Sequence, residues 1–533
     1  MSQNADTQQQ SDSTNAEEVS AQSAFTEKAS RRDWIAVAGM VLGAFVAILD
    51  IQIINSSLAD IQGSLSASLS EGSWISTSYM IAEIVVIPLS AWLATVFSMR
   101  RYLLWSTAAF ILTSSLCGMA WSLESMILFR ALQGVAVAPL IPLSFTLIRT
   151  RLPESQQPIG MALFSFSAVL APSIGPTIGG WLTENFSWHL IFYLNFLPGL
   201  LMMALLAHGL DSEPMRLDRL RNADWPGIAS LSVGLATLEF VLEEGNRNNW
   251  FESHEITLFA FIATISLTSF VYLQLTRKDP LLNLRILGEK QFLLGTLANC
   301  AMGLALYGSV FLLPMYLASI QNYSPMEIGE VMLWVGVPQL FLIPLLPVAM
   351  KYFETRWLCI FGLMMFAISA LMNSYMSYDF AGDQFRLSLI IRAIGQPFVM
   401  VPLSVLATAK LDLKDIPSAS SVYNTTRNLS GAVGIAMLST IIDRRSTFHQ
   451  VRIGETLSLY DQKTQIYLDK LQSILPQLTP QQDLALIMKQ IARDAGIMAF
   501  SDSFIVIAGS LVIGVLAVIA IGSNSTQSVQ ATS

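Results

Sequence analysis

Long apolar runs separated by short polar breaks dominate the chain after residue 33. A bilayer core about 30 Å thick needs about twenty apolar residues per helix. Fourteen runs meet that length: 34–56, 73–97, 102–121, 124–148, 159–182, 188–208, 226–244, 255–275, 291–319, 326–348, 356–375, 384–409, 418–442 and 502–521. The run 226–244 is the most polar of them, because it holds Glu239, Glu243 and Glu244. Residues 1–33 are rich in Gln, Ser and Glu and carry no apolar stretch, the pattern of a disordered cytosolic tail. The segment 443–501 is too polar to span. Within it, "TPQQDLALIMKQIARDAGIMAF" opens with Thr479, Pro480 and Gln482, a helix-start pattern, and places Leu484, Ile487 and Ile491 on one face. "DQKTQIYLDKLQSIL" repeats the spacing at Ile466, Leu471, Ile474 and Leu475. The two stretches predict a small helical hairpin on the external face, either self-packed or docking a partner.

Composition agrees with the pattern. The 533 residues are 53% hydrophobic and 13% charged, whereas soluble domains carry about 25% charged residues. The fold class expected is all-α and membrane-integral. Basic residues orient the spans, since short cytosolic loops hold an excess of Lys and Arg. With the N-terminus in the cytosol, the cytosolic segments hold eighteen basic residues, among them Arg100, Arg101, Arg149, Arg151, Arg277 and Arg356. The short external loops hold only Arg247 and Arg386. Both termini are therefore expected in the cytosol. The net charge of −8 forms no basic stripe, which argues against nucleic-acid binding. The three cysteines and four histidines are scattered without metal or redox spacing, and no phosphate loop or nucleophile motif is present. No enzyme activity, metal or cofactor is expected.

The two halves echo each other at an offset near 260. "SLADIQ" (57–62) returns as "YLASIQ" (316–321), and "FRALQGVAVAPLIPLS" (129–144) returns as "IRAIGQPFVMVPLS" (391–404). Two six-helix bundles are expected, residues 34–208 and 291–521, the second including the loop 443–501. Residues 209–290 form two inserted helices with linkers, and 522–533 form a second cytosolic tail. Parallel repeats of this kind are a transporter architecture, with substrate held near the midplane between the halves.

Ionisable residues inside spans mark function by default. Asp50 lies six residues inside the first span, if that span ends near Ser56, and Arg130 lies six residues past Glu124 in the fourth. At 1.5 Å per residue both sit about 9 Å deep and can pair. Glu83, near mid-depth, is a second proton or cation site. Arg427 can hold a carboxylate or an anionic substrate, or brace helices with Asn424, while Arg392 reads as a structural mirror of Arg130. Tyr79, Phe164, Tyr307, Phe311 and Met315 are candidates to line a lipophilic cavity. Gly175, Pro176, Gly179 and Gly180 let the fifth span bend and approach a neighbour closely.

Four stretches carry a family resemblance: "LDIQIINSSL" (49–58), "LFRALQGVAVA" (128–138), "APSIGPTIGGWL" (171–182) and "NTTRNLSGAVG" (424–434). Through them the chain resembles the fourteen-helix drug:proton antiporters of the major facilitator superfamily, the EmrB/QacA type. The long last loop and "PLIPLS" lean toward the EmrB branch. The resemblance implies two bundles working by alternating access in a bacterial inner membrane, and proton-coupled export of lipophilic compounds. It also implies Asp50 and Arg130 in coupling, to which the depth of Glu83 adds a third candidate, Gln133 and Gly134 beside the glycine motif in conformational change, and a periplasmic adaptor with an outer-membrane channel as partners. A dedicated exporter of one metabolite or siderophore on the same fold, and a transport-inactive sensor, are the alternatives. One motif departs: "AWLATVFSMRRYL" puts Ala91, Thr95 and Ser98 where the family's second-to-third loop has glycines and a charge, though Arg100 and Arg101 remain.

Overall fold

The computed structural model describes residues 29–153, 155–221, 223–277, 280–455, 465–466 and 480–521. Within them, each predicted run is helical. In chain order these are α1 (Arg31–Ser64), α2 (Trp74–Val86 with Ser90–Phe97), α3 (Met99–Cys117), α4 (Leu123–Arg151), α5 (Gln157–Asn185), α6 (His189–Gly209) and α7 (Trp225–Gly245). They continue as α8 (His254–Thr276), α9 (Lys290–Ser319), α10 (Met326–Tyr352), α11 (Thr355–Asn373), α12 (Gly382–Thr408), α13 (Ile416–Glu455) and α14 (Pro480–Ala520).

Among the described residues, eleven helices are long and apolar enough to cross a membrane, or twelve if the two arms of α2 make one span. The expected fourteen are thus present as helices, but not all as apolar spans. The two that fall short have visible reasons. α3 opens on Arg100 and Arg101, and α13 carries the polar stretch Asn424 to Asn428 and then Asp443 to Arg445. The arms of α2 meet at 62°. Pro88 sits in the break; it donates no amide hydrogen bond and its ring crowds the carbonyl four residues back.

Three boundaries differ from the sequence reading. α1 runs on to Ser64, so Asp50 lies fourteen residues, about 21 Å, from its C-terminus. The predicted external hairpin is not a separate element where it is described. Its second half is the start of α14, continuous to Ala520, and α13 likewise extends to Glu455. Helices of 40 and 41 residues span about 60 Å, twice a bilayer core, so both project well beyond it. Arg445 Nε donates to Asp502 Oδ2 at 2.6 Å, and His449 Nε2 lies 2.9 Å from the same oxygen. The pattern at Thr479, and most of "DQKTQIYLDKLQSIL", lie outside the described residues.

Each half has its own core. Val37, Met40, Leu103, Phe110, Leu140 and Leu206 are buried together in the first; Met302, Tyr316, Leu363, Phe385 and Phe504 in the second. α7 and α8 pack on each other, with Gly234 against Leu267. At one end Asp224 ties them, accepting from Gln274 Nε2 at 2.7 Å and pairing with Arg277 at 2.7 Å. α7 also packs on α2: the rings of Trp74 and Phe240 lie 5.7 Å apart. Ile84, Leu231 and Leu235 share a cluster with Phe292, Val422 and Tyr423 of the second half. The inserted pair therefore bridges the two bundles. Leu258, Phe261, Ile265 and Tyr272 of α8 are exposed, an apolar surface suited to lipid tails.

The halves meet at the arginine-rich end. Arg149 Nη2 donates to Thr408 Oγ1 at 3.0 Å, Ser420 Oγ donates to the Pro142 carbonyl at 3.0 Å, and Phe145 stacks on Tyr423. α5 also packs on α10, where Thr177 abuts Gly329.

Candidate coupling site

Asp50 and Arg130 meet inside the first bundle. Arg130 Nη1 donates to Asp50 Oδ2 at 2.8 Å, and both side chains are 1% exposed. The pairing expected from the sequence is a direct contact: Arg130 reaches Asp50 from the part of α4 that packs on α2 and α3, while α4 packs on α1 farther along, over Leu140–Arg151. An ion pair without water persists only when its remaining lone pairs and protons are also satisfied. Here they are. Asp50 Oδ1 accepts from Asn195 Nδ2 at 2.6 Å and from Gln133 Nε2 at 3.1 Å. Arg130 Nε donates to the Ile75 carbonyl at 3.2 Å, and Nη1 also donates to Gln133 Oε1 at 2.8 Å. The guanidinium carbon sits 4.0 Å from the centre of the Tyr79 ring, a cation–π contact. Asn195 further donates to Ser114 Oγ at 3.1 Å, which donates to the Phe192 carbonyl at 2.8 Å. Five helices, α1, α2, α3, α4 and α6, thus converge on one carboxylate.

Small residues permit the convergence. A Cβ on Gly134 would lie 2.4 Å from the Tyr79 carbonyl oxygen, and one on Gly175 would lie 2.6 Å from Gln52 Cβ. Gly134 lets α4 reach α2, and Gly175 lets α5 reach α1. Gly179 offers its carbonyl to Ser57 Oγ at 3.3 Å, and Gly180 is buried nearby. Pro172 and Pro176 sit inside α5. The glycine motif therefore packs chiefly against α1 of its own bundle, while Thr177 makes the close approach to the other half.

The remaining candidates are spread out. Glu83 is buried on α2, three residues before the last residue of its first arm. Its carboxylate has no hydrogen bond or ion pair with any described residue. Phe164 is buried in the core of the first bundle, 3% exposed. Tyr79 is likewise part of the ion-pair cage rather than of an open wall. Met315 is partly exposed and Phe311 packs on the second core. Tyr307 donates to Asn428 Oδ1 at 3.0 Å, its ring against Gly431. Arg427 Nη2 donates to Asn424 Oδ1 at 2.9 Å on the same helix, with no carboxylate in contact among the described residues. That pair is a local brace, and Asn299, donating to the Tyr423 carbonyl at 2.8 Å, makes the cross-helix bond instead.

Arg392 shows how the repeats diverge. It is buried 5.2 Å from the Phe366 ring centre, and its Nε has no partner. Carrying Asp50 forward by the 259-residue offset of "SLADIQ" and "YLASIQ" lands on Ser309. Ser309 lines the small cavity beside Arg392 with Ser369 and Asn373. The second half keeps the arginine and lacks its acid.

Sequence reasoning missed Asn195 and Ser114. The available signal was a lone amide in the apolar run "IFYLNFLPG", at the joint between the two helical pieces of α6.

Many-helix architecture in two repeated halves, with a charge pair enclosed in one of them, defines the class: a polytopic membrane transporter. The family model for the Major Facilitator Superfamily matches residues 40–435. The colistin resistance protein EmrB of Acinetobacter baumannii is 32% identical over 475 residues, 88% of this chain and 92% of that protein. The multidrug export protein EmrB of Escherichia coli K12 is 29% identical over 471 residues, 88% of this chain and 91% of that protein. The crystal structure of the human organic anion transporter MFSD10 (TETRAN) shares the fold at a TM-score of 0.58 and 12% identity, covering 92% of this chain and all of that one. The chain belongs to the Major Facilitator Superfamily, and its similarity to the EmrB proteins runs almost end to end.

Proposed function

We propose that this protein is a proton-coupled multidrug exporter of the bacterial inner membrane, working by alternating access of its two halves. The observation that carries the reading is the enclosed Asp50–Arg130 pair. The names of the multidrug export and colistin resistance relatives support the export of toxic compounds. The end carrying Arg100, Arg149 and Arg277 faces the cytosol, in keeping with the excess of basic residues there. The projecting parts of α13 and α14 then stand in the periplasm, a suitable platform for an adaptor protein.

In this mechanism Asp50 is the carboxylate that gains and loses a proton. When ionised it is held by Arg130, Gln133 and Asn195. Protonation weakens all three contacts at once, freeing α1 and α4 to shift. Glu83, buried with no cation in contact, is the second protonatable group. A substrate cation and a proton compete for the same negative charge, so taking up one releases the other. One charge crossing 100 mV gains about 2.3 kcal/mol, enough for a gradient of about fifty-fold.

The test is proton release in proteoliposomes on adding a lipophilic cation such as ethidium. Wild type is expected to release protons, Asp50→Asn none, and Glu83→Gln fewer. Absence of proton movement in wild type across a broad panel of lipophilic compounds rejects the reading.

A further inference from the structure

The inserted helix α7 carries more chemistry than a spacer needs. Glu239 is 1% exposed, and its Oε2 has no hydrogen-bond partner. It lies within electrostatic reach of Glu83 across the α2–α7 contact. Glu243 follows one turn later, and Glu244 one residue beyond, where Arg247 pairs with it at 3.0 Å and also donates to Ser73 Oγ at 2.9 Å. Side chains four apart on a helix are neighbours, with about 6 Å of rise between them. Carboxylates thus descend α7 from the Arg247 end toward Glu83. Arg247 neutralises the outermost; no cation touches Glu239 or Glu83 among the described residues. A buried carboxylate with no cation costs several kcal/mol unless it carries a proton.

The charged and titratable groups around this line are few. α2 contributes Glu83 and Tyr79, whose hydroxyl is also unpartnered. α13 contributes Arg427, Tyr423 and, at the outer end, Asp443, bonded to Asn246, with Arg444 lining the same cavity as these two. The short helix Trp250–Glu252 adds Glu252, and Tyr307 of α9 lies within electrostatic reach of Glu83. The buried residues of α8, Ile256, Ala263, Phe270 and Gln274, carry no charge.

We propose that α7 is a proton path, in which Glu243 and Glu239 pass protons from the external side to Glu83, by a route separate from the Asp50–Arg130 pair. Each transfer conserves charge. Hydronium gives a proton to the Glu243 carboxylate and leaves water. Glu243 passes that proton to Glu239, directly or through one water, and becomes a carboxylate again. Glu239 does the same toward Glu83. The inserted helices would then supply the proton-access route of the first bundle. This inference rests on the proton-coupled reading above.

The experiment uses the full chain in proteoliposomes. Ethidium transport driven by a pH gradient is measured beside ethidium–ethidium exchange without one. Glu239→Gln is expected to slow proton-driven transport at least tenfold while exchange falls less than twofold, and Glu239→Asp to recover most of the driven rate. Equal driven rates for Glu239→Gln and wild type overturn the path and leave the antiport reading standing. Wild type that moves ethidium without protons overturns both. If Glu239→Gln does not fold, the partly buried Glu243→Gln carries the test: a driven rate reduced severalfold supports the path, and a wild-type rate rejects it.

Discussion

At the scale of single residues, the Asp50 cage is the most demanding feature of the molecule. Asn195 gives it the shortest bond, 2.6 Å to Oδ1. Removing a donor from a buried charge costs about 1–3 kcal/mol, so Asn195→Ala should lower the unfolding temperature in detergent and slow proton-coupled transport. Ser114→Ala should do less, since it acts on Asp50 only through Asn195. Ser98 is under strain of another kind. Its backbone sits at φ 68°, ψ 139°, a region that favours glycine, and its buried hydroxyl has no partner. The departure from the family's loop pattern therefore has a structural cost. Ser98→Gly should raise stability by about 1 kcal/mol, the relief of strain exceeding glycine's entropic penalty; thermal unfolding of the purified protein checks it. Nearby, Arg100 Nη2 donates to the Ala207 carbonyl at 2.7 Å near the end of α6, a use of the retained arginine that fits the negative end of a helix.

At the scale of elements, close approach decides what the site can be. Gly134 brings α4 against the α2 backbone, and only that approach seats the Arg130 guanidinium over Tyr79 and under the Ile75 carbonyl. Gly134→Val should pry the helices apart and cut transport at least tenfold at equal membrane levels, read by dye efflux from loaded cells beside immunodetection. The helices themselves were legible, because a run of about twenty apolar residues has one stable form in lipid. Their ends were less so. The second arm of the expected external hairpin is continuous with α14 from Pro480 onward, since nothing in "MAFSDSF" breaks a helix and Asp502 is used to tie α13. The bend in α2 was equally unmarked by hydropathy, although Pro88 stood at its centre.

For the whole molecule, the arginine-rich end is closed by bonds between halves. A hydrogen bond to a charged group contributes about 1.5–3 kcal/mol, so losing Arg149–Thr408 should raise the population open at that end about tenfold or more. Thr408→Val removes the inter-half bond while leaving Arg149 its contact to Gln157 Oε1 at 2.7 Å. Faster labelling of a cysteine placed at Ser421, with the native cysteines replaced, would register the shift; unchanged labelling would show that the Ser420–Pro142 bond and the Phe145–Tyr423 stack hold the end shut without it.

Apolar periodicity and the arginine asymmetry between loops determine, from the sequence alone, a polytopic helical protein of two repeated halves with Asp50 and Arg130 as opposite charges inside it. Those signals are one-dimensional, and the cost of exposing polar groups to lipid makes them reliable. Only the tertiary structure decides that the pair is enclosed by Gln133, Asn195 and Tyr79, that Phe164 is core, and that α7 sets Glu239 near Glu83. The reason is that hydropathy records how much of a helix avoids water, whereas the partners of a buried charge depend on which faces of helices far apart in the chain are turned toward one another.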